Sequence, residues 1–200
     1  AQTKDGGQVS VPQSVFEIYN LPLREGKTAK IEAKVEGGIG ELAAVANSNP
    51  LNVIDRAGLN TGGESGEGSI DVVARFPLAK GIGLDDVQWR VTGELDDFTD
   101  ENPIMGRTIA NADVQIDATP EQVAIAGSGV LDGLNADIDL VVPLGESGIA
   151  SKQDVVVSVT AAKLKEKGID LTAFLAGDLV LNVTGESDGQ EFSVDLTRCT

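Results

Sequence analysis

From Leu134 to Val142 every second residue is apolar: Leu134, Ala136, Ile138, Leu140 and Val142, with Asn135, Asp137 and Asp139 between them. A period of two is that of a β-strand with one dry and one wet side; a helix of period 3.6 cannot sort these residues onto two faces. The pattern recurs along the chain. Ile31, Ala33 and Val35 alternate with Glu32, Lys34 and Glu36, and Ile70, Val72, Ala74 and Phe76 form a second run. Val87, Trp89 and Val91 alternate with Gln88, Arg90 and Thr92, and Ala112, Val114 and Ile116 with Asp113, Gln115 and Asp117. Val155, Val157 and Val159 follow, then Leu179, Leu181 and Val183, then Phe192, Val194 and Leu196. Repetition on this scale predicts a mainly β chain.

Turn chemistry predicts how the strands pair. Asp132-Gly133 is a strong two-residue hairpin signal. It sets Leu131 against Leu134, Gly129 against Ala136, Gly127 against Ile138, Ile125 against Leu140 and Val123 against Val142. A turn over 118–121, around Thr119-Pro120, sets Ile116 against Val123, Val114 against Ile125 and Ala112 against Gly127. Both turns put apolar or glycine residues on one side, and a one-residue slip would invert the whole set. Longer loops allow Phe76 to face Val87, Ala74 to face Trp89 and Val72 to face Val91. Near the end Val183 faces Phe192, Leu181 faces Val194 and Leu179 faces Leu196. Helical signal is sparse. "GELAAVANSNPLNVIDRAGL" holds two short pieces split by Pro50, with Asn49 as N-cap and Gly58 as stop. "TAAKLKEKGIDLTAFLAG" holds one ending at Gly168 and a second around 172–176. Helices so few leave two readings of the dry side: a second sheet covers it, or it is a groove.

Charge narrows the partners. Lys and Arg total 15 against 32 Asp and Glu, a net charge of −17. That balance opposes nucleic acid, whose affinity comes from cationic contacts to phosphate, and polybasic docking on anionic membranes. No window reaches the roughly 18 consecutive apolar residues of a membrane-spanning helix. The chain has neither a signal peptide nor an initiating Met, and is read as a section of something longer. Cys199 is the single cysteine, so no disulfide forms within the chain.

Histidine is absent, which removes the commonest general base and the usual nitrogen ligand of zinc. The glycine-rich stretch 58–69 lacks the Lys-Ser/Thr ending of a phosphate loop, and Glu64 and Glu67 would repel phosphate; it reads as a flexible connection. Asp96, Asp97, Asp100 and Glu101 lie close together without the spacing or turn glycine of an EF-hand, and read as a solvated acidic loop. The separation of any carboxylate pair for glycoside chemistry is not fixed by sequence. Asn182-Val183-Thr184 fits a glycosylation acceptor but falls within a strand. No catalytic, metal or cofactor constellation emerges, so the chain is read as non-enzymatic, without cofactor.

The order of features in 49–98 and beyond carries a resemblance. A Pro-Leu lead-in to a short helix (Pro50, Leu51) is followed by the glycine-rich connection, a strand ending in Phe76-Pro77-Leu78, and "DVQWRVTGEL". Next come "ATPEQVAIAGSGVLDGLNADIDLVV" (118–142) and "GDLVLNVTGESDGQEFSVDLTRCT" (177–200). Over 49–200 this resembles the AsmA-like family of Gram-negative bacteria, its YhdP branch in particular. The resemblance implies a long, twisted antiparallel meander curved into a groove-like sheet, with a few short helices. It makes 1–200 a single section of a repeating β-groove region truncated at both ends. It further implies a periplasmic protein, anchored in the inner membrane by a helix outside this section, whose groove carries phospholipid towards the outer membrane.

The positions expected to line the groove are Val72, Ala74 and Phe76; Val87, Trp89 and Val91; Val114 and Ile116; Val123 and Ile125; Leu134, Ile138, Leu140 and Val142; and Leu181 and Val194. The expected partners are phospholipid or another acyl-chain lipid and a membrane reached through the external anchor, not nucleic acid. The competing expectation is a closed β-sandwich module of a secreted or surface protein, with the same residues as its core.

Overall fold

The computed structural model describes residues 8–23, 25–47, 53–56, 62–104, 107–144, 147–166, 168, 170, 178–187 and 191–197. Ten strands form one antiparallel sheet in sequence order: β1 (Ser10–Tyr19), β2 (Thr28–Gly38), β3 (Glu64–Pro77), β4 (Gln88–Ile104), β5 (Arg107–Ala118), β6 (Gln122–Leu131), β7 (Leu134–Pro143), β8 (Ser151–Thr160), β9 (Asp178–Ser187) and β10 (Glu191–Thr197). Each strand pairs with its neighbours in the chain, and the sheet is open, with β1 and β10 at its two ends. Helices α1 (Ile39–Ala46) and α2 (Val53–Arg56) join β2 to β3, and α3 (Ala161–Glu166) joins β8 to β9. A meander sends alternate loops to opposite ends of the strands. The helices and the β6–β7 turn therefore lie along one rim, here called upper. The β1–β2, β3–β4, β5–β6 and β7–β8 loops lie along the other, lower rim.

The sandwich expectation fails on this topology, because all ten described strands belong to the same sheet.

The β6–β7 hairpin has the expected register throughout, from Leu131 opposite Leu134 to Val123 opposite Val142. Asp132 (φ 50°) and Gly133 (φ 80°) both occupy the left-handed region that a two-residue turn of this twist requires. The turn is tied to β5: Asp132 N–H donates to Thr108 O at 2.9 Å, and Thr108 N–H to Asp132 Oδ1 at 3.0 Å. A β-branched side chain is strained at φ 80°, so Gly133→Val is expected to cost about 1–2 kcal/mol in urea denaturation and Gly133→Asn distinctly less.

Elsewhere the register departs from expectation by two residues. Ile116 faces Ile125, Ala118 faces Val123 and Val114 faces Gly127. The turn is shorter than 118–121: Thr119 N–H bonds Gln122 O at 2.9 Å, leaving Pro120-Glu121 at the tip. Likewise Val183 faces Val194 and Leu181 faces Leu196, while Phe192 faces Gly185. A two-residue slip keeps every side chain on its face, so the dry side survives both corrections. Ala74 opposite Trp89 and Val72 opposite Val91 are as expected; the ladder ends at Arg75–Gln88, leaving Val87 just outside it.

Three segments differ in kind. β1 carries no clean alternation and escapes the sequence reading. The glycine-rich stretch is strand from Glu64 onwards, its part before Gly62 lying outside the described residues. The acidic run 95–102 is strand too, within β4, where three register shifts against β5 absorb extra residues. A carboxylate of the neighbouring strand serves its backbone there, for Asp113 Oδ1 on β5 accepts from Asp97 N–H at 3.2 Å. Asp97 and Asn111 take positive φ at these bulges.

The two helical pieces between β2 and β3 are present, clamped by Asn47, which donates from Nδ2 to Asp55 Oδ1 (2.9 Å) and accepts at Oδ1 from Asp55 N–H (3.1 Å). Thr160 caps α3 by accepting from Lys163 N–H at 3.1 Å. Asn49, Gly58 and the helix expected around 172–176 lie outside the described residues.

Candidate functional site

Register assembles the dry side into rows that cross the sheet. One runs Ala33, Val72, Val91, Ala118, Val123, Val142. A second runs Val35, Ile70, Gly93, Ile116, Ile125, Leu140 and on to Gln153. A third runs Gly37, Gly68, Leu95, Val114, Gly127, Ile138, Val155, Val183, Val194. None of these rows contains a charged residue. Fourteen of the expected lining residues thus have described positions on or beside one face, and Leu181 and Val194 are placed there by backbone register.

Most of these side chains are half-buried although no second sheet of described residues lies over them. On β3 the dry-side Ile70, Val72, Ala74 and Phe76 are half-buried while Asp71, Val73 and Arg75 are exposed. Neighbours on the dry side shade one another, as they do on a concave surface. Val142, at the lower rim, stands 37 % exposed.

Several contributors are invisible to the alternation. Leu42 and Ile39 of α1 are buried, and α1 packs on β2 and β3. An atom added at the Cβ position of Gly68 would lie 2.8 Å from Leu42 Cδ1 and 2.9 Å from Leu95 Cδ2. The helix therefore sits on the dry side at the upper rim, in room that Gly68 leaves. The i, i+3 spacing of Ile39 and Leu42 is its only sequence signal. Phe16 and Ile18 extend the face onto β1, opposite Ile31 and Ala29, and are 58 % and 43 % exposed.

The wet side carries the ion pairs. Arg90 donates Nε to Asp117 Oδ1 at 2.9 Å and Nη2 to Oδ2 at 2.5 Å. This hydrogen bonding holds the Asp117 carboxyl below the usual carboxylate range. Lys152 bonds Asp139 at 2.6 Å, a contact that raises the lysine, and also pairs with Asp154 at 3.6 Å. Glu17 accepts from the Tyr19 hydroxyl at 2.5 Å and pushes its titration up; Arg75 lies 5.8 Å from the Tyr19 ring centre. A shallow depression of about 280 Å³, lined by Asn111, Ser128, Asn135, Asp137 and Ser158 among others, also belongs to this side. Among the described residues no three acidic, histidine or cysteine side chains come together as a metal site.

The Arg90–Asp117 pair is open to solvent, its side chains 63 % and 42 % exposed, so water and salt screen it. A folded-state pKa below the unfolded value gives stability that is present above the unfolded value of 3.8 and fades as pH falls through the folded one. Arg90→Gln is expected to raise the Asp117 pKa in an NMR titration. The small stability difference from the parent should close on acidification and at about 1 M salt.

The fold and this face define a class: among the described residues, an open, single-layer antiparallel meander with uncharged rows across one side, which end towards the upper rim where Glu64 stands opposite the buried Asp100. The chain matches no protein-family model, no curated protein and no solved structure.

Proposed function

We propose that the dry side shelters the acyl chains of phospholipid, and that the chain is a section of a periplasmic, AsmA-like (YhdP-branch) bridge protein moving lipid between inner and outer membranes. The carrying observation is the set of uncharged rows spanning β2 to β8 with no second sheet of described residues across them. An acyl chain leaving a bilayer costs about 0.8 kcal/mol for each methylene met by water. A continuous apolar strip offsets that cost at every step without fixing the chain at one place. The headgroup stays in water beyond the strip, and the acidic wet side keeps the ribbon soluble. Adding strands to a meander lengthens the path. Among the described residues no helix is long and apolar enough to cross a membrane; the anchor in this reading lies outside the chain. The reading assigns no catalysis and no cofactor.

Mass spectrometry of the purified protein tests it. Co-purified phospholipid is expected, together with saturable binding of a fluorescent fatty acid. Lipid-free protein that also binds no fatty acid overturns the proposal.

A further inference from the structure

Among the described residues, large exposed apolar side chains are not scattered evenly. Among the described residues outside the edge strand β1 they are Leu21, Leu23, Val73, Leu78, Ile82, Val142 and Ile149. All but Val73 lie along the lower rim, opposite the rim that carries α1 and α3. Leu21 and Leu23 sit on the β1–β2 loop, 63 % and 54 % exposed; Leu78 and Ile82 sit on the β3–β4 loop, 41 % and 40 % exposed. Hairpin tips ordinarily carry Gly, Asn, Asp and Ser, so four large hydrocarbon side chains on two adjacent tips run against the usual chemistry.

These tips are built to hold that shape. Asn20, at φ 59°, donates from Nδ2 to Gly26 O at 3.2 Å, and Leu23 N–H bonds Asn20 O at 3.0 Å. On the neighbouring loop Gly83 N–H bonds Asp86 Oδ2 at 2.9 Å and Asp86 N–H returns to Gly83 O at 3.2 Å. Leu78 N–H donates to Lys27 O at 2.8 Å and joins the two loops. The apolar side chains are thus presented by a braced pair of loops.

Charge distinguishes the occupant. By sequence the two loops, 20–27 and 78–87, carry Arg24, Lys27 and Lys80 against Glu25, Asp85 and Asp86, a balance of zero in a chain at −17. These two loops lack the acidic excess that repels a phosphate-bearing surface. Separate projecting side chains also suit a fluid medium, which closes around each of them, better than a rigid protein surface, which must match their shape.

We propose that the lower rim docks on a zwitterionic phospholipid surface, with Leu21, Leu23 and Ile82 inserted at the boundary between headgroups and acyl chains. This rests on the acyl-chain reading of the dry side and adds where that side meets a bilayer. The row Ala33, Val72, Val91, Ala118, Val123, Val142 runs alongside this rim, so a hydrocarbon tail leaving the membrane meets the dry side directly.

Vesicle flotation with the whole 200-residue chain and phosphatidylcholine liposomes tests the rim. The parent is expected to float with the vesicles, and Leu21→Ser/Leu23→Ser/Ile82→Ser to lose about tenfold in bound fraction. Val73→Ser, equally apolar but on the wet side, is expected to bind as the parent does; circular dichroism checks that each variant is folded. A parent that does not float, or a folded triple variant that floats unchanged, overturns the docking proposal. So does self-association of the parent in sedimentation that the triple substitution abolishes, which reassigns the rim to a second copy. Fatty-acid binding by the same samples separates the two ideas: uptake without flotation sinks the rim alone, and flotation without uptake sinks the acyl-chain reading.

Discussion

Gly127→Val is expected to lose about 3 kcal/mol or more of stability, leaving a large fraction of the chain unfolded under mild denaturant. An atom at its Cβ position would lie 2.2 Å from Asp113 O and 2.9 Å from Val114 Cα. Both are backbone of the paired strand, which can retreat only by breaking the β5–β6 ladder. Gly129 is nearly as tight, 2.5 Å from Ala112 Cβ and 2.8 Å from Ala112 Cα, and Ala112 is fully buried. Gly129 lies opposite the register shift between Ala110 and Asp113, and Gly127 faces Val114 just beyond it. A bulge facing residues without side chains lets the strands close up and twist more sharply. Part of the clash from Gly129→Ala is with a side chain, so adding Ala112→Gly is expected to recover some of the loss, whereas Gly127→Val has no such rescue. Gly83→Ala is the matched control. It meets nothing within 4 Å at an ordinary φ and is expected to be neutral or slightly stabilising. Urea denaturation followed by circular dichroism reads all four, and equal stability of Gly127→Val and Gly83→Ala would refute the close-approach account.

The same region shows what alternation discloses. A period of two fixes which face a residue occupies and fixes register only modulo two. Asp132-Gly133 removes the ambiguity, because its length is set by its turn type, and the β6–β7 hairpin is legible residue by residue. Pro120-Glu121 does not announce its length, and the neighbouring hairpin shifts by two without moving a side chain off its side. The β4 acids mislead for a different reason. Composition marks Asp96, Asp97 and Asp100 as loop, but bulges accommodate them in a long strand through contacts from β5, which sequence does not show. Leu95 is missed with them. It continues the run of Trp89 and Val91 past Gly93, and its burial depends on Leu42, a residue of α1 more than fifty positions earlier in the chain. The lower-rim leucines follow no period and acquire meaning only once two loops are side by side.

Ile125→Asp is the decisive change for the dry side. Ile125 lies at the middle of an uncharged row, between Ile116 on β5 and Leu140 on β7. A carboxylate there stays hydrated, because no cation on the row neutralises it and desolvating it alone is prohibitive. Its water shell breaks the strip over the length of about four methylenes, worth about 3 kcal/mol. Acyl-chain affinity is therefore expected to fall by about two orders of magnitude. Ala126→Asp places the same charge on the next residue of the same strand, exposed on the wet side opposite Gln115 and Asp139. It is expected to bind fatty acid as the parent does. Ile125→Leu keeps hydrocarbon in place and should also bind normally, while Ile138→Asp, on the adjoining row, should repeat the loss. Comparing the pair at positions 125 and 126 cancels any general effect of added charge. Circular dichroism and urea denaturation establish that each variant is folded. Equal fatty-acid binding by folded Ile125→Asp and Ala126→Asp would show that hydrocarbon does not lie along this side, since a strip that tolerates a hydrated anion at its centre is not what holds the chain.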